Sequence, residues 1–205
     1  MNLTIEPLTP ARAADYFDFF DNRAFTDDSP YRCYCISWQM TKEQAAAFAK
    51  ADADDVGRAA GKVAERQIAS GVLKGYLAFA DGVSIGWCNA NDKASLPAAC
   101  ANGSRLYSPP EKRERAVLCF EIAPEYRGKG VATALLQRVI ADAKADGCFA
   151  IEGYPVKHDE RYKWDFTGPL RLYEKAGFAE IARCENKIVM RKVLSPTPQV
   201  AEPGK

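Results

Sequence analysis

No stretch of this sequence approaches the roughly 18 consecutive apolar residues of a membrane-spanning helix, and "MNLTIEPLTPARAADYF" lacks the basic start and apolar centre of a secretory leader. A soluble, cytoplasmic protein is expected. An excess of one charge is missing too. The chain carries 28 Lys and Arg against 27 Asp and Glu, a formal net charge of +1, so neither nucleic acid nor an anionic membrane is favoured as a partner. Any anion site must be local. There is a single histidine, His158, and no C-x-x-C pair, which removes the usual zinc frameworks. The seven cysteines (33, 35, 88, 100, 119, 148 and 184) are odd in number and scattered through apolar contexts, a pattern of reduced thiols and not of a disulfide scaffold. Only Cys33 and Cys35 in "YRCYCISW" lie close together. With no second pair to complete a metal site, they read as part of an apolar, aromatic segment lining a core or pocket, and no metal is expected.

What is present suits one globular domain over residues 1–194, followed by a proline-rich, flexible tail, "SPTPQVAEPGK", at 195–205. "LTIEPLT" alternates as a strand, and Thr9-Pro10 opens a helix through about Phe20. "TKEQAAAFAKADADDVGRAAGKVAERQIASG" is helical material interrupted near Gly57 and Gly61, giving two helices. Two β-rich runs over 74–91 meet at Asp81-Gly82, a strong hairpin signature. After a loop at 92–113, "AVLCFEIAP" (116–124) is apolar on both faces and reads as a central strand. Apolar positions 131, 132, 135, 136, 139, 140 and 143 predict a helix ended by Gly147. "CFAIEGYPV" (148–156) is a further buried strand, "PLRLYEKAG" a short helix, and a second hairpin joined at Asn186-Lys187 closes the order.

The chemistry concentrates in "EIAPEYRGKGVATALL" (121–136). A helix beginning near Lys129 or Gly130 leaves its first amides unpaired and carries about half a positive charge at that end. Gly128 and Gly130 keep side chains away from the backbone, Ala132 keeps the first turn narrow, and Arg127 and Lys129 add mobile cations, which together describe a pyrophosphate cradle. A Walker loop, G-x-x-x-x-G-K-[ST], is absent. A dinucleotide fingerprint matches Gly128 and Gly130 but meets Thr133 in place of its third glycine, and too few elements follow Glu152 for that fold.

In "RGKGVA", Arg127, Gly130 and Ala132 resemble the Q/R-x-x-G-x-G/A signature of the GNAT superfamily of acetyl-CoA-dependent N-acetyltransferases. "LCFEIAPEY" upstream looks like that family's central strand, and "LYEKAGF" (172–178) like the helix and turn that close its coenzyme site. The resemblance runs from the first strand to about Leu194. It implies an α/β (α+β mixed) fold: a central, mostly antiparallel mixed sheet of six to seven strands, splayed between strands 4 and 5 and flanked by helices, with acetyl-CoA in the wedge. It implies that backbone groups of Phe120 and Ile122 meet the pantetheine and thioester, and that amides of Arg127, Gly128, Lys129, Gly130, Val131 and Ala132 meet the pyrophosphate. Tyr173 would donate to the departing sulfur, since a phenol with pKa about 10 suits a thiolate leaving group. The family often has asparagine where this chain has Gly168, and a fourth-strand glutamate base would fall near Ala116. Glu152 is therefore the first candidate for the base, ahead of His158 and of water-mediated proton removal. Glu121 points away from the coenzyme face if Phe120 and Ile122 flank the thioester, and is left out.

The acceptor pocket implied by this architecture is rich in rings (Tyr31, Tyr34, Trp38, Trp87, Tyr154, Tyr162, Trp164, Phe166) and acids (Asp27, Asp28, Asp159, Asp165), which suits a primary amine of a small molecule or an amino terminus. The same rings could instead form the core. A non-catalytic coenzyme-binding sensor of the same fold and an unrelated nucleotide enzyme stay open as alternatives. A homodimer is common in the family.

Overall fold

A computed structural model describes residues 2–27, 29, 33–48, 50, 56–96, 110–158 and 165–194. Strand β1 (Leu3–Pro7) leads through a 3-10 turn at Pro10–Arg12 into helix α1 (Ala13–Asn22). Pro10 does open this element, although Thr9 makes no side-chain cap. Helix α2 (Lys42–Phe48) starts from a reciprocal pair in which the Thr41 amide donates to Gln44 Oε1 at 2.9 Å and the Gln44 amide to Thr41 Oγ1 at 3.2 Å, a capping box. Helix α3 (Val56–Ala69) contains both Gly57 and Gly61, so the expected interruption at these glycines is corrected: both lie inside one continuous helix. Gly61 is not a breaker but a contact point, since a Cβ there would lie 3.9 Å from the Tyr34 ring.

Strands β2 (Gly75–Ala80) and β3 (Val83–Asp92) form the expected hairpin, with φ of 49° at Asp81 and 87° at Gly82, the two left-handed residues that such a turn requires. Then follow β4 (Glu114–Ile122), α4 (Val131–Ala145), β5 (Ala150–Gly153), α5 (Leu170–Lys175), β6 (Ala179–Cys184) and β7 (Lys187–Val193). Cys184 pairs with Lys187, so the last turn is Glu185–Asn186, one residue earlier than expected. The tail at 195–205 lies outside the described residues, as do Tyr31, Tyr162, Trp164, Asp28 and Asp159.

The seven strands form one sheet in the order β1-β2-β3-β4-β5-β7-β6, antiparallel throughout except for β4 and β5. Helices cover both faces. On one, Tyr16, Phe19 and Phe20 of α1 and Ala64 and Ile68 of α3 bury against Leu77, Phe79, Trp87 and Cys119. On the other, Leu135, Leu136 and Val139 of α4 and Leu172 and Tyr173 of α5 bury against Val117, Phe120, Ile122 and Ile151. No described helix is long and apolar enough to cross a membrane.

The parallel pairing is short. Glu114–Val117 match Ala150–Gly153, after which the two strands part. Two local causes are visible. Pro155 lacks an amide to extend β5, and β4 carries a bulge: Asn89 faces Cys119 while Ala90 faces Val117, leaving Leu118 extra. The bulge also flips the alternation of β4, so that Val117 and Phe120 share one face while Ala116 and Leu118 turn to the other.

Candidate active site

A groove of about 1300 Å³ runs along the open end of the β4–β5 wedge, past the start of α4 and along α5. At one side, α4 is capped by Gly130 at φ 85° with no side-chain cap, and Gly128 stands at φ 76°. A Cβ at either glycine would meet nothing within 4 Å, so the left-handed backbone, and not crowding, is what selects glycine. Among the amides expected on a pyrophosphate, those of Arg127 and Lys129 bond within the turn, to Pro124 O at 3.3 Å and Tyr126 O at 3.4 Å. Those of Val131 and Ala132 belong to the unsatisfied first turn of α4 and open on the groove. The Lys129 ammonium lies 5.4 Å from the Tyr126 ring centre.

Arg127 is not the mobile phosphate cation that the sequence suggested. Its guanidinium turns inward: Nε donates to Ile122 O at 2.9 Å, Nη1 to Asp27 Oδ2 at 2.6 Å and Nη2 to Glu121 Oε1 at 3.2 Å. Carboxylates and a strand-end carbonyl fill its donor fork.

Within the wedge, Phe120 presents its ring to Tyr173, centres 6.5 Å apart, and its amide donates to Phe166 O at 2.6 Å. Tyr173 is fully buried, its hydroxyl donating to Thr167 O at 2.7 Å, and burial foremost pushes its pKa well above the ordinary phenol value. The ring occupies the space that a Cβ at Gly153 would take, 2.1 Å from Cε1. Thus both groups expected at a thioester, the Phe120 amide and the Tyr173 hydroxyl, donate to consecutive carbonyls of one segment. Gly168, which ends that segment, has φ 81°, and a Cβ there would sit 3.1 Å from the Phe120 ring.

The face under α1 and α3 holds the carboxylates. Glu152 is 2% exposed and saturated with partners: Lys93 Nζ at 2.7 Å, Arg191 at 2.7 Å and the Tyr154 hydroxyl at 2.8 Å. Glu114 completes the cluster, meeting Lys93 at 3.1 Å and Arg191 at 2.8 Å. Glu121, which the sequence reading set aside, is 3% exposed, lines the groove, and has its pKa pushed up to about 8 by burial, against the lowering effect of Arg127. It does point away from Phe120 and Ile122, and that puts it on the side opposite the coenzyme face. Phe166, Asp27, Asp165 and His158 also line the groove, whereas Trp87 is core, its ring 5.1 Å from that of Tyr16. Cys35 is buried against Asn89, whose Nδ2 lies 3.4 Å from the sulfur, and the six described cysteines are free thiols. Among the described residues no group of His, Cys, Asp and Glu is arranged to hold a metal ion.

A family model, the acetyltransferase (GNAT) family, matches residues 5–178. The chain belongs to the GNAT acetyltransferases. Members of this family use acetyl-CoA. The cradle fits such a coenzyme, for two left-handed glycines precede an uncapped helix start on an open groove. Solved structures similar to this GNAT chain include one described as histone acetyltransferase HPA2 and related acetyltransferase from Corynebacterium glutamicum, 20% identical with a TM-score of 0.56 over 98% of this chain and 100% of that one. A GNAT-family acetyltransferase from Streptococcus pneumoniae is 15% identical with a TM-score of 0.55 over 95% and 100%. The PaiA N-acetyltransferase of Thermoplasma acidophilum, solved with coenzyme A, is 15% identical with a TM-score of 0.53 over 94% and 99%. At these identities the likeness is one of fold. No curated protein matches the chain.

Proposed function

We propose that this chain is an acetyl-CoA-dependent N-acetyltransferase in which a primary amine, of a small molecule or an amino terminus, attacks the thioester directly. The observation that carries the reading is Glu121: a buried carboxylate on the groove, on the side of the sheet opposite Phe120, with its pKa pushed up to about 8. Such a base is matched to an alkylammonium far better than an ordinary glutamate. When bound, acetyl-CoA supplies an acyl thioester. Glu121 takes the proton of the incoming amine, the Phe120 amide is the donor available to developing oxyanion charge, and the Tyr173 hydroxyl gives a proton to the departing sulfur. Gly128, Gly130, Val131 and Ala132 form the phosphate side of the groove, with Lys129 in the same turn as a nearby cation, and Ile122 the strand end. Glu152 loses the role of base in this reading because its oxygens already serve two cations and a phenol.

One observation favours a second reading, a coenzyme-binding sensor without turnover: the Phe120 amide and the Tyr173 hydroxyl are already occupied by Phe166 and Thr167. Acetyl-CoA binding followed by thiol release across a panel of primary amines separates the two. Turnover with any amine, abolished by Glu121→Gln, supports the enzyme; tight binding with no thiol release across the panel supports the sensor.

A further inference from the structure

Arg127 belongs to two sites at once. Its backbone is the first link of the 127–130 turn that presents the phosphate cradle, and its side chain leaves that cradle for the opposite face. All three guanidinium nitrogens are used there, on Ile122 O, Asp27 and Glu121, at 2.9, 2.6 and 3.2 Å. Asp27 comes from the loop after α1, so a single planar fork fastens three parts of the chain: the end of β4, the phosphate turn and the α1 side. To turn back onto a phosphate, the guanidinium would have to break two ion pairs, one of them to a carboxylate only 3% exposed. Leaving such a carboxylate unpaired is costly.

We infer that Arg127 is a positioning residue for the base, holding the Glu121 carboxyl in register with the coenzyme turn, and is not itself a phosphate ligand. The inference rests on the reading of Glu121 as the base. The charged and titratable groups facing Glu121 come from several elements: Arg127 from the turn, Asp27 from the loop after α1, Cys33 and Cys35 from the segment at 33–36, and Cys119 from β4. Arg127 pulls the Glu121 pKa down, whereas Asp27 and Cys35 push it up. Arg127 and Asp27, paired with each other, therefore act on Glu121 with opposite signs.

The test is a direct titration of Glu121 by NMR in protein labelled with ¹³C at the glutamate carboxyls, with Glu121→Gln assigning the resonance. In the wild type the midpoint is expected near 8. Arg127→Gln should raise it by about 1–3 pH units, Arg127→Lys should restore part of the shift, and Asp27→Asn should lower it. Coenzyme A affinity of Arg127→Gln, measured by calorimetry, should stay within about threefold of wild type. A midpoint that does not move in Arg127→Gln overturns the inference, as does a coenzyme affinity reduced by about tenfold or more. Should Arg127→Gln fail to fold, Asp27→Asn and Arg127→Lys carry the same sign test, and a midpoint unmoved or raised in Asp27→Asn overturns the inference. Failure of the underlying reading looks different: if the midpoints shift as stated but Glu121→Gln transfers at the wild-type rate, the tie stands and Glu121 is not the base.

Discussion

The two ends of the β4–β5 pair hold buried carboxylates on the same face and treat them in opposite ways. At the closed end, where the strands still hydrogen-bond, Glu114 and Glu152 are 4% and 2% exposed and share Lys93 and Arg191, two anions with two cations. At the open end, Glu121 is 3% exposed, and it and Asp27 share one guanidinium. Burial is equal, so burial alone does not distinguish a structural carboxylate from a reactive one. The surroundings do. Lys93 and Arg191 each hold both Glu114 and Glu152, whereas at Glu121 desolvation outweighs Arg127, Cys35 and Asp27 add to it, and the proton affinity rises. The same strand separation opens Glu121 to the groove.

The sharpest way to break this contrast is to neutralise one glutamate at each end. Glu121→Gln should lower turnover by about 10²–10⁴ while leaving the fold intact, the range for loss of a general base. Glu152→Gln should do the reverse, keeping most turnover per folded molecule but losing about 3–5 kcal/mol of stability in denaturant titration, because Lys93 and Arg191 lose half of their counter-charge. Equal losses of turnover in both variants, with no stability cost at Glu152, would erase the distinction.

A smaller effect separates the ends by pH. The folded pKa of Glu121, about 8, lies above its ordinary 4.5, so the folded state binds more protons than the unfolded state between those values. The favourable contribution is complete below about 4.5 and is lost as pH rises through about 8. Relative to the wild type, Glu121→Gln should therefore become steadily more stable from pH 5 to pH 9, by on the order of a few kcal/mol. Turnover of the wild type should rise over the upper part of the same window. A flat stability difference would show that Glu121 ionises at its ordinary value.

The two ends of the β4–β5 pair were only half legible in the sequence. Local signals worked where the backbone itself carries the function: Asp81-Gly82 gave its hairpin, and Gly128, Gly130 and the apolar stripe of α4 gave the strand-to-helix junction. Three features depended on tertiary facts that spacing does not hold. The bulge at Leu118 reverses the faces of β4, so counting by twos along the strand misplaces which residues share a side, and it puts Ala116 and Glu121 on one face. Arg127 reads as a phosphate cation because its partner Asp27 is 100 residues away in sequence. Glu152 reads as a candidate base because Lys93 and Arg191, from distant segments, are invisible as its partners until the sheet is assembled. A fourth surprise, Gly168, had its cause across the wedge.

That glycine gives the mildest test of how tightly the open end is built. The sequence reading met Gly168 where asparagine is common, and the structure offers a reason: φ is 81° and a Cβ would stand 3.1 Å from the Phe120 ring and 3.3 Å from Leu172. Asparagine tolerates the left-handed backbone better than most residues, so Gly168→Asn is limited by the contact with Phe120 and not by strain alone. A shift of a few tenths of an ångström should suffice, at a cost of about 1 kcal/mol or a fall in Tm of about 2–4 °C. Because Phe120 would be the residue displaced, coenzyme A affinity should weaken along with stability, and Phe120→Leu, which frees the space, should recover most of the Tm in the double variant. Additive losses in that pair would mean that the ring is not what Gly168 makes room for.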